Sequence, residues 1–240
     1  MIDFHCHLDL YKDPISIFKQ AESRCSFVLA VTTSPRAYLK AQNHFRESHN
    51  IKVAIGLHPE LVQSRINEAE LFLTTLKDCK YVGEIGIDGS DKFRSSFSMQ
   101  ADFFKEALIE SERLGGKILS VHSRGATKEV LSIIENYVSL STPVMHWYTG
   151  TTKDVLRALE MGCWFSINPQ MCSSKSGMEI VAKIPLSRIL PETDGPFTQR
   201  QGKPYMPWDD TVIQYLTQYY GISTDTVLQQ MHDNIRKINL

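Results

Sequence analysis

Residues 1–10 read MIDFHCHLDL, and the alternation within Asp3-Phe4-His5-Cys6-His7 governs how the rest of the chain is read. In an extended strand successive side chains point to opposite faces. Asp3, His5 and His7 therefore share one face, and Ile2, Phe4, Cys6 and Leu8 the other. The apolar set suits packing against helices, which puts Cys6 in the core. Two imidazoles one residue apart form half of a site for a divalent cation. A lone His-x-His fits a buried strand with two hydrogen-bonded histidines equally well, so the remaining residues have to decide.

At 240 residues the chain suits one large domain, and an α/β barrel commonly takes this whole length. A 42% hydrophobic and 22% charged composition allows a sizeable core. The net charge of −1 gives no overall basic footprint. That disfavours extensive electrostatic binding to duplex DNA but leaves a local basic rim open. Five dispersed cysteines without a Cys-x-x-Cys pair suit reduced thiols better than a disulfide framework or zinc ribbon. The N-terminus lacks the cationic start and apolar run of a signal peptide, and no stretch approaches the roughly 20 apolar residues of a membrane span. A cytoplasmic, enzyme-like domain with no membrane partner is expected.

Working outward, Asp13-Pro14 and Ser34-Pro35 each combine an N-cap with proline at the first helical position. They predict helices to about Ser23 and toward His49. Short apolar, β-rich runs predict strands over Ser26–Thr33, Lys52–His58, Tyr81–Asp88, Lys117–His122, Pro143–Tyr148, Cys163–Asn168 and Arg188–Asp194. Helical sequence runs to about Asp78, from Phe97 to Leu114 (ended by Gly115-Gly116) and from Thr152 to Met161. Two more helices are expected between Asp209 and Leu240. Eight apolar strands alternating with helices indicate a parallel sheet covered on both faces, hence a single-domain α/β fold over 1–240, a (β/α)8 TIM barrel. A doubly wound sheet would usually offer a Gly-rich phosphate loop, which this chain lacks. Phe197–Trp208, long and Pro-rich, reads as a lid.

Active sites of such barrels lie at the C-terminal ends of the strands. His5, His7, His58, Glu84, His122, His146 and Asp194 all collect there; His44, His49 and His232 fall on predicted helices and read as surface. Four imidazoles and two carboxylates suit a pair of divalent ions sharing one bridging carboxylate, with a water activated between them. A metal hydrolase is expected.

The motifs DFHCHL (Asp3–Leu8), GLHP (Gly56–Pro59), GEIGID (Gly83–Asp88), HSR (His122–Arg124), HWYTG (His146–Gly150) and ETDGP (Glu192–Pro196) stand in one order. Gln100, Phe104 and Asn234 accompany them. In this the chain resembles the TatD family of metal-dependent deoxyribonucleases, within the amidohydrolase-like TIM barrels. The resemblance implies His5, His7 and Asp194 on one metal, His122 and His146 on the other, and Glu84 bridging both. It also implies that His58 and Arg124 contact the substrate phosphate and that Asp194 takes the proton of the attacking water. The cofactor would be two divalent ions, Mg²⁺, Mn²⁺ or Zn²⁺, and the substrate DNA, as single strands or 3′ ends. The phrases MIDFHCHLDLYKDP, GCWFSINPQM and ETDGPF followed by PWD are similar to the TatD-like nucleases of four-gene Qat anti-phage systems. That implies protein partners from the same multi-gene system. The chain departs from the family pattern at Trp147–Gly150 and Thr198–Pro207.

Other residues have plainer readings. Gly83 and Gly86 leave open space around Glu84. Asp9 and Asp88 read as caps or loop residues rather than ligands. Glu192, two before Asp194, shares its face and orients a ligand or pairs with a cation. Trp147, Tyr148 and Phe197 follow strand ends and are candidates for stacking on unpaired bases, or for packed lids. Lys153, Lys175, Arg200 and Lys203 form either a basic rim or solvated surface. Two other functions remain open at this point: a small-molecule amide, ester or lactone hydrolase, and a binding subunit without turnover.

Overall fold

The computed structural model describes residues 1–45 and 48–239, and in it every residue of the opening strand β1 (Ile2–Cys6) is buried. The predicted strands follow as β2 (Phe27–Val31), β3 (Ile51–Ala54), β4 (Tyr81–Gly86), β5 (Ile118–His122), β6 (Thr142–His146), β7 (Trp164–Ile167) and β8 (Ile189–Pro191). Most are shorter than the apolar runs that announced them. Hydrogen-bonded pairing stops where residues such as His58 and Asp194 turn into the loops.

β1 to β3 pair in parallel, as do β4 to β8. Backbone bonds join the two sheets at both edges. On one side Ile55 bridges Val82, with Thr32 N donating to Gly83 O and Glu84 N to Thr32 O. On the other, Asp194 N donates to His5 O and His7 N to Gly195 O, both at 2.8 Å. The eight strands thus form one ring, the α/β barrel expected, with their side chains buried on both faces.

Helices cover it. α1 (Pro14–Arg24) starts where Asp13 accepts Ser16 N at 3.0 Å, as its N-cap position requires. α2 (Pro35–Phe45) starts where the Ser34 hydroxyl accepts Ala37 N; the predicted extension toward His49 runs through residues outside those described. The stretch to Asp78 breaks into short turns around α3 (Val62–Arg65) and α4 (Ala69–Leu76). α5 (Phe97–Arg113), α6 (Thr127–Tyr137) and α7 (Thr152–Glu160) follow, then the short α8 (Pro169–Ser173) and α9 (Lys175–Val181). The predicted lid contains a small antiparallel ribbon, β9 (Gln199–Arg200) and β10 (Lys203–Pro204). α10 (Thr211–Tyr220) and α11 (Thr224–Ile238) close the chain, and the Asn234 amide on α11 donates to Leu186 O and Ile189 O, fastening that helix to β8. All five cysteines are buried and free, Cys6 among them. No helix among the described residues is long and apolar enough to cross a membrane.

The seam between β1 and β8 depends on Asp3. Its fully buried carboxylate accepts Thr193 N at 3.0 Å, Thr193 Oγ1 at 2.6 Å and His5 N at 3.1 Å. Asp3 therefore belongs to the closure of the barrel, although it shares a strand face with the two histidines. Thr193→Val keeps the side-chain shape and removes one donor from this buried carboxyl group, whose pKa burial raises to about 7. We expect a loss of about 1–3 kcal/mol in urea unfolding of the metal-free protein; a change below about 0.5 kcal/mol would show that the seam does not rely on this bond.

Candidate metal centre

β1, β4, β5, β6 and β8 each deliver a charged or imidazole group to the same end of the barrel. The Nε2 atoms of His5 and His7 face one another at 3.4 Å. Glu84 Oε2 stands 3.4 and 3.3 Å from them, and Asp194 Oδ1 3.6 Å from both. These separations exceed ordinary charge-assisted hydrogen bonds. The three separations among His5 Nε2, His7 Nε2 and Glu84 Oε2 match instead one face of a tetrahedron of ligands around a small cation, with an edge of about 3.3 Å for metal–nitrogen bonds of about 2.0–2.1 Å, and Asp194 Oδ1 lies beside both imidazoles. The donor set fits a divalent ion both in chemistry and in spacing.

The other oxygen of Glu84 faces a second group. Oε1 lies 2.7 Å from His122 Nδ1, 3.2 Å from His58 Nε2 and 3.9 Å from His146 Nε2. His58, Glu84 and His122 could together hold an ion, as could His5, His7 and Glu84. The 2.7 Å contact is a direct hydrogen bond, so this side is drawn together more tightly than the first. His58, expected to contact phosphate, thus sits within the second cluster as well as on the cavity wall. Its Nδ1 accepts Glu60 N at 3.2 Å, which leaves Nε2 directed at Glu84.

Four of these imidazoles are aimed by what the rear nitrogen meets, whereas His7 Nδ1 is buried without a hydrogen-bond partner among the described residues. His5 Nδ1 bonds the Ser120 hydroxyl at 2.7 Å, and His146 Nδ1 donates to Glu192 Oε2 at 2.8 Å. Glu192 Oε1 also accepts Trp147 N and Asn168 Nδ2. Glu192 thus holds the His146 ring in place. His122 Nε2 donates to Asp88 Oδ2 at 2.9 Å. Asp88 is itself held by Ser90 N, and its backbone N–H donates to Gln100 Oε1 at 2.7 Å. Reading Asp88 as a loop residue captured the Ser90 turn and missed the contact with His122. The signal was present: Glu84, Gly86 and Asp88 alternate onto one face, by the same rule that placed Glu192 with Asp194.

Charges follow from burial and from these partners. Burial alone would push His122 down, but Asp88 and Glu84 overcome it and hold the ring up at about 9, as an imidazolium donating from both nitrogens. Burial would raise Glu84; His58, His122 and His5 keep it well below the usual carboxylate range. Burial lowers His5 and His146 to about 3, so both rings are neutral and able to offer a lone pair. Burial, reinforced by Glu84, Glu192 and Asp3, raises Asp194 well above its ordinary value.

Two expectations need correction. The glycines flanking Glu84 do not leave open space: a Cβ on Gly83 would meet Ser120 Cβ at 2.7 Å, and one on Gly86 would meet His122 O at 2.1 Å. They let β5 approach closely enough for His122 to reach Glu84. Tyr148 is no stacking residue, because it is fully buried edge-on against Phe165. Trp147, half-buried, and Phe197, exposed, do line the cavity of about 450 Å³ above the cage, together with Arg124, His58 and Ser123. Trp147 and Asp194 both adopt positive φ, +34° and +52°, a costly backbone state for such residues that clusters at functional sites. His44 and His49 are exposed, as expected, and His232 is half-buried.

The family described as TatD related DNase matches residues 2–239. A curated relative from Escherichia coli K12, the uncharacterized metal-dependent hydrolase YcfH, is 26% identical over 99% of this chain and 95% of its own. The 3′-5′ ssDNA/RNA exonuclease TatD of Escherichia fergusonii is 23% identical over 88% and 86%. Among solved structures, YJJV, a TatD homolog from E. coli K12, superposes with a TM-score of 0.86 at 22% identity, covering 100% of this chain and 98% of its own. A match that runs from β1 to the end of α11 shows that the chain belongs to the TatD family of metal-dependent hydrolases.

Proposed function

We propose that this hydrolase cleaves phosphodiester bonds in DNA, acting on single strands or 3′ ends with two divalent ions that share Glu84. The observation that carries the reading is the close grouping of His5, His7 and Glu84, with Asp194 beside both imidazoles, at separations suited to an ion rather than to hydrogen bonds. These residues would hold the first ion, and His122 and His146 with the second oxygen of Glu84 would hold the other. Ligation on that side exchanges the His122–Glu84 hydrogen bond for bonds to the ion. Mg²⁺, Mn²⁺ and Zn²⁺ all suit a mixed imidazole and carboxylate set. Bound there, the ions would supply an activated water and neutralise charge on the phosphate oxygens.

The protein's own groups do the rest. Asp194, on the cavity wall and beside both His5 and His7, would accept the proton of the attacking water. Arg124 is exposed on the cavity wall, and its planar fork fits two phosphate oxygens. His58, beside it on the wall, offers a further donor to the phosphate. A recess of this size with an open mouth suits a flexible strand end better than a rigid duplex. The description of the family as DNases and the exonuclease activity in a relative's name support a nucleic-acid substrate. The opening phrase MIDFHCHLDLYKDP and the ETDGPF segment support a place in a multi-gene anti-phage system with protein partners. Five buried free thiols suit the reducing cytoplasm.

Two outcomes test this reading. His122→Ala should lower Mn²⁺-supported hydrolysis of a single-stranded oligonucleotide by at least about a hundredfold, with its circular dichroism unchanged; retention of more than a tenth of the activity would remove His122 from the chemistry. In the metal-free protein at pH 7, His122 carries a proton that ligation must displace, and burial makes Asp194 readier than a surface carboxylate to hold one. Calorimetric titration with Zn²⁺ in buffers of different ionisation enthalpy should therefore report release of about one proton or more. Apparent affinity should rise with pH and level off above about 9. Heats that do not vary with the buffer would contradict the assigned ligands.

A further inference from the structure

Phe197 is 59% exposed on the rim of a site whose other aromatic rings are largely covered. Its ring stands perpendicular to His7 at 5.0 Å between centroids. The ring lines the cavity while most of the residue remains open to solvent. The segment that carries it is fastened on both sides. Phe197 N and Thr198 N donate to Asp194 O, Thr198 Oγ1 donates to Thr193 O, and Tyr205 N donates to Thr198 O. The Phe197 backbone is held by these bonds while its ring stays in water, so the segment is ordered before any ligand arrives, as a preorganised binding surface requires.

Two residues further on, the β9–β10 ribbon turns through Gln201 and Gly202, both at positive φ (+52° and +76°), the pattern of a tight two-residue hairpin. That register sets Arg200 directly opposite Lys203. Opposed residues of a ribbon project from one face, and like charges so placed repel. Neither takes part in an ion pair among the described residues, whose Arg and Lys bridges all lie elsewhere. A cationic pair a few residues along the chain from an exposed aromatic ring suits single-stranded nucleic acid: the ring takes a base and the cations take the next phosphates.

We propose that Phe197 and the Arg200/Lys203 tip form a subsite for the strand beyond the scissile phosphate, Phe197 stacking on one nucleobase and the two cations holding the backbone that follows. This rests on the phosphodiesterase reading above and adds to it a preference for polynucleotide over mononucleotide esters.

The test uses the Mn²⁺-loaded full chain and thymidine oligonucleotides of two to eight residues, with one abasic residue placed at each position in turn. In the wild-type protein an abasic residue at one position should lower kcat/KM by roughly 5- to 150-fold. Phe197→Ala should erase that penalty by lowering the intact substrate to the abasic level, and Phe197→Trp should restore it. The double variant Arg200→Gln/Lys203→Gln should flatten the gain with substrate length and reduce the slope of log KM against log salt concentration by about 1.4. If the abasic penalty and the salt slope are the same in all proteins that cleave DNA, the subsite is overturned and the nuclease reading stands. If the wild-type protein hydrolyses bis(p-nitrophenyl) phosphate but no oligonucleotide, both are overturned.

Discussion

Everything at this end of the barrel depends on one buried carboxylate with imidazoles on both of its oxygens. Glu84 is almost wholly removed from water, and an unpaired anion there would be too costly to persist. Oε2 faces His5 and His7 at separations suited to an ion, whereas Oε1 is hydrogen-bonded directly to His122. The two halves differ because only one is closed by a cationic partner: His122 is held protonated, while His5 stays neutral. Positive charge brought into the His5–His7–Asp194 cage would complete the neutralisation that His122 begins on the other side.

Three of the imidazoles are held from behind by different parts of the chain. Ser120 on β5 aims His5, Glu192 just after β8 aims His146, and Asp88 beyond β4 holds His122 with help from Gln100 on α5. Close strand approach at Gly83 and Gly86 lets these contacts span neighbouring strands. The same network reaches the rim, since Glu192 also accepts the N–H of Trp147, whose backbone is in the left-handed region. Orientation of a candidate ligand and shape of the mouth are therefore coupled through one carboxylate.

Much of this was legible because two local rules act strongly here. Strand alternation paired His5 with His7 and Glu192 with Asp194, and apolar runs marked all eight barrel strands. What escaped depended on backbone geometry that alternation does not describe. The glycines beside Glu84 looked like empty space, but their role is visible only when β5 lies across them. Asp88 satisfies a turn and an imidazole at once, and a sequence reading settles on the local partner first. Tyr148 follows a strand end as Trp147 does, yet the positive φ at Trp147 sends the next residue into the core. The lid ribbon was hidden because Gln201, which is not a glycine, adopts the turn conformation.

The most direct test is the anomalous scattering of crystals grown with Mn²⁺. A peak is expected among His5 Nε2, His7 Nε2, Glu84 Oε2 and Asp194 Oδ1, within a bonding distance of about 2.0–2.3 Å, and a second on the Oε1 side of Glu84 near His122 and His146. Density at neither position in crystals of protein that is active with Mn²⁺ would contradict that assignment.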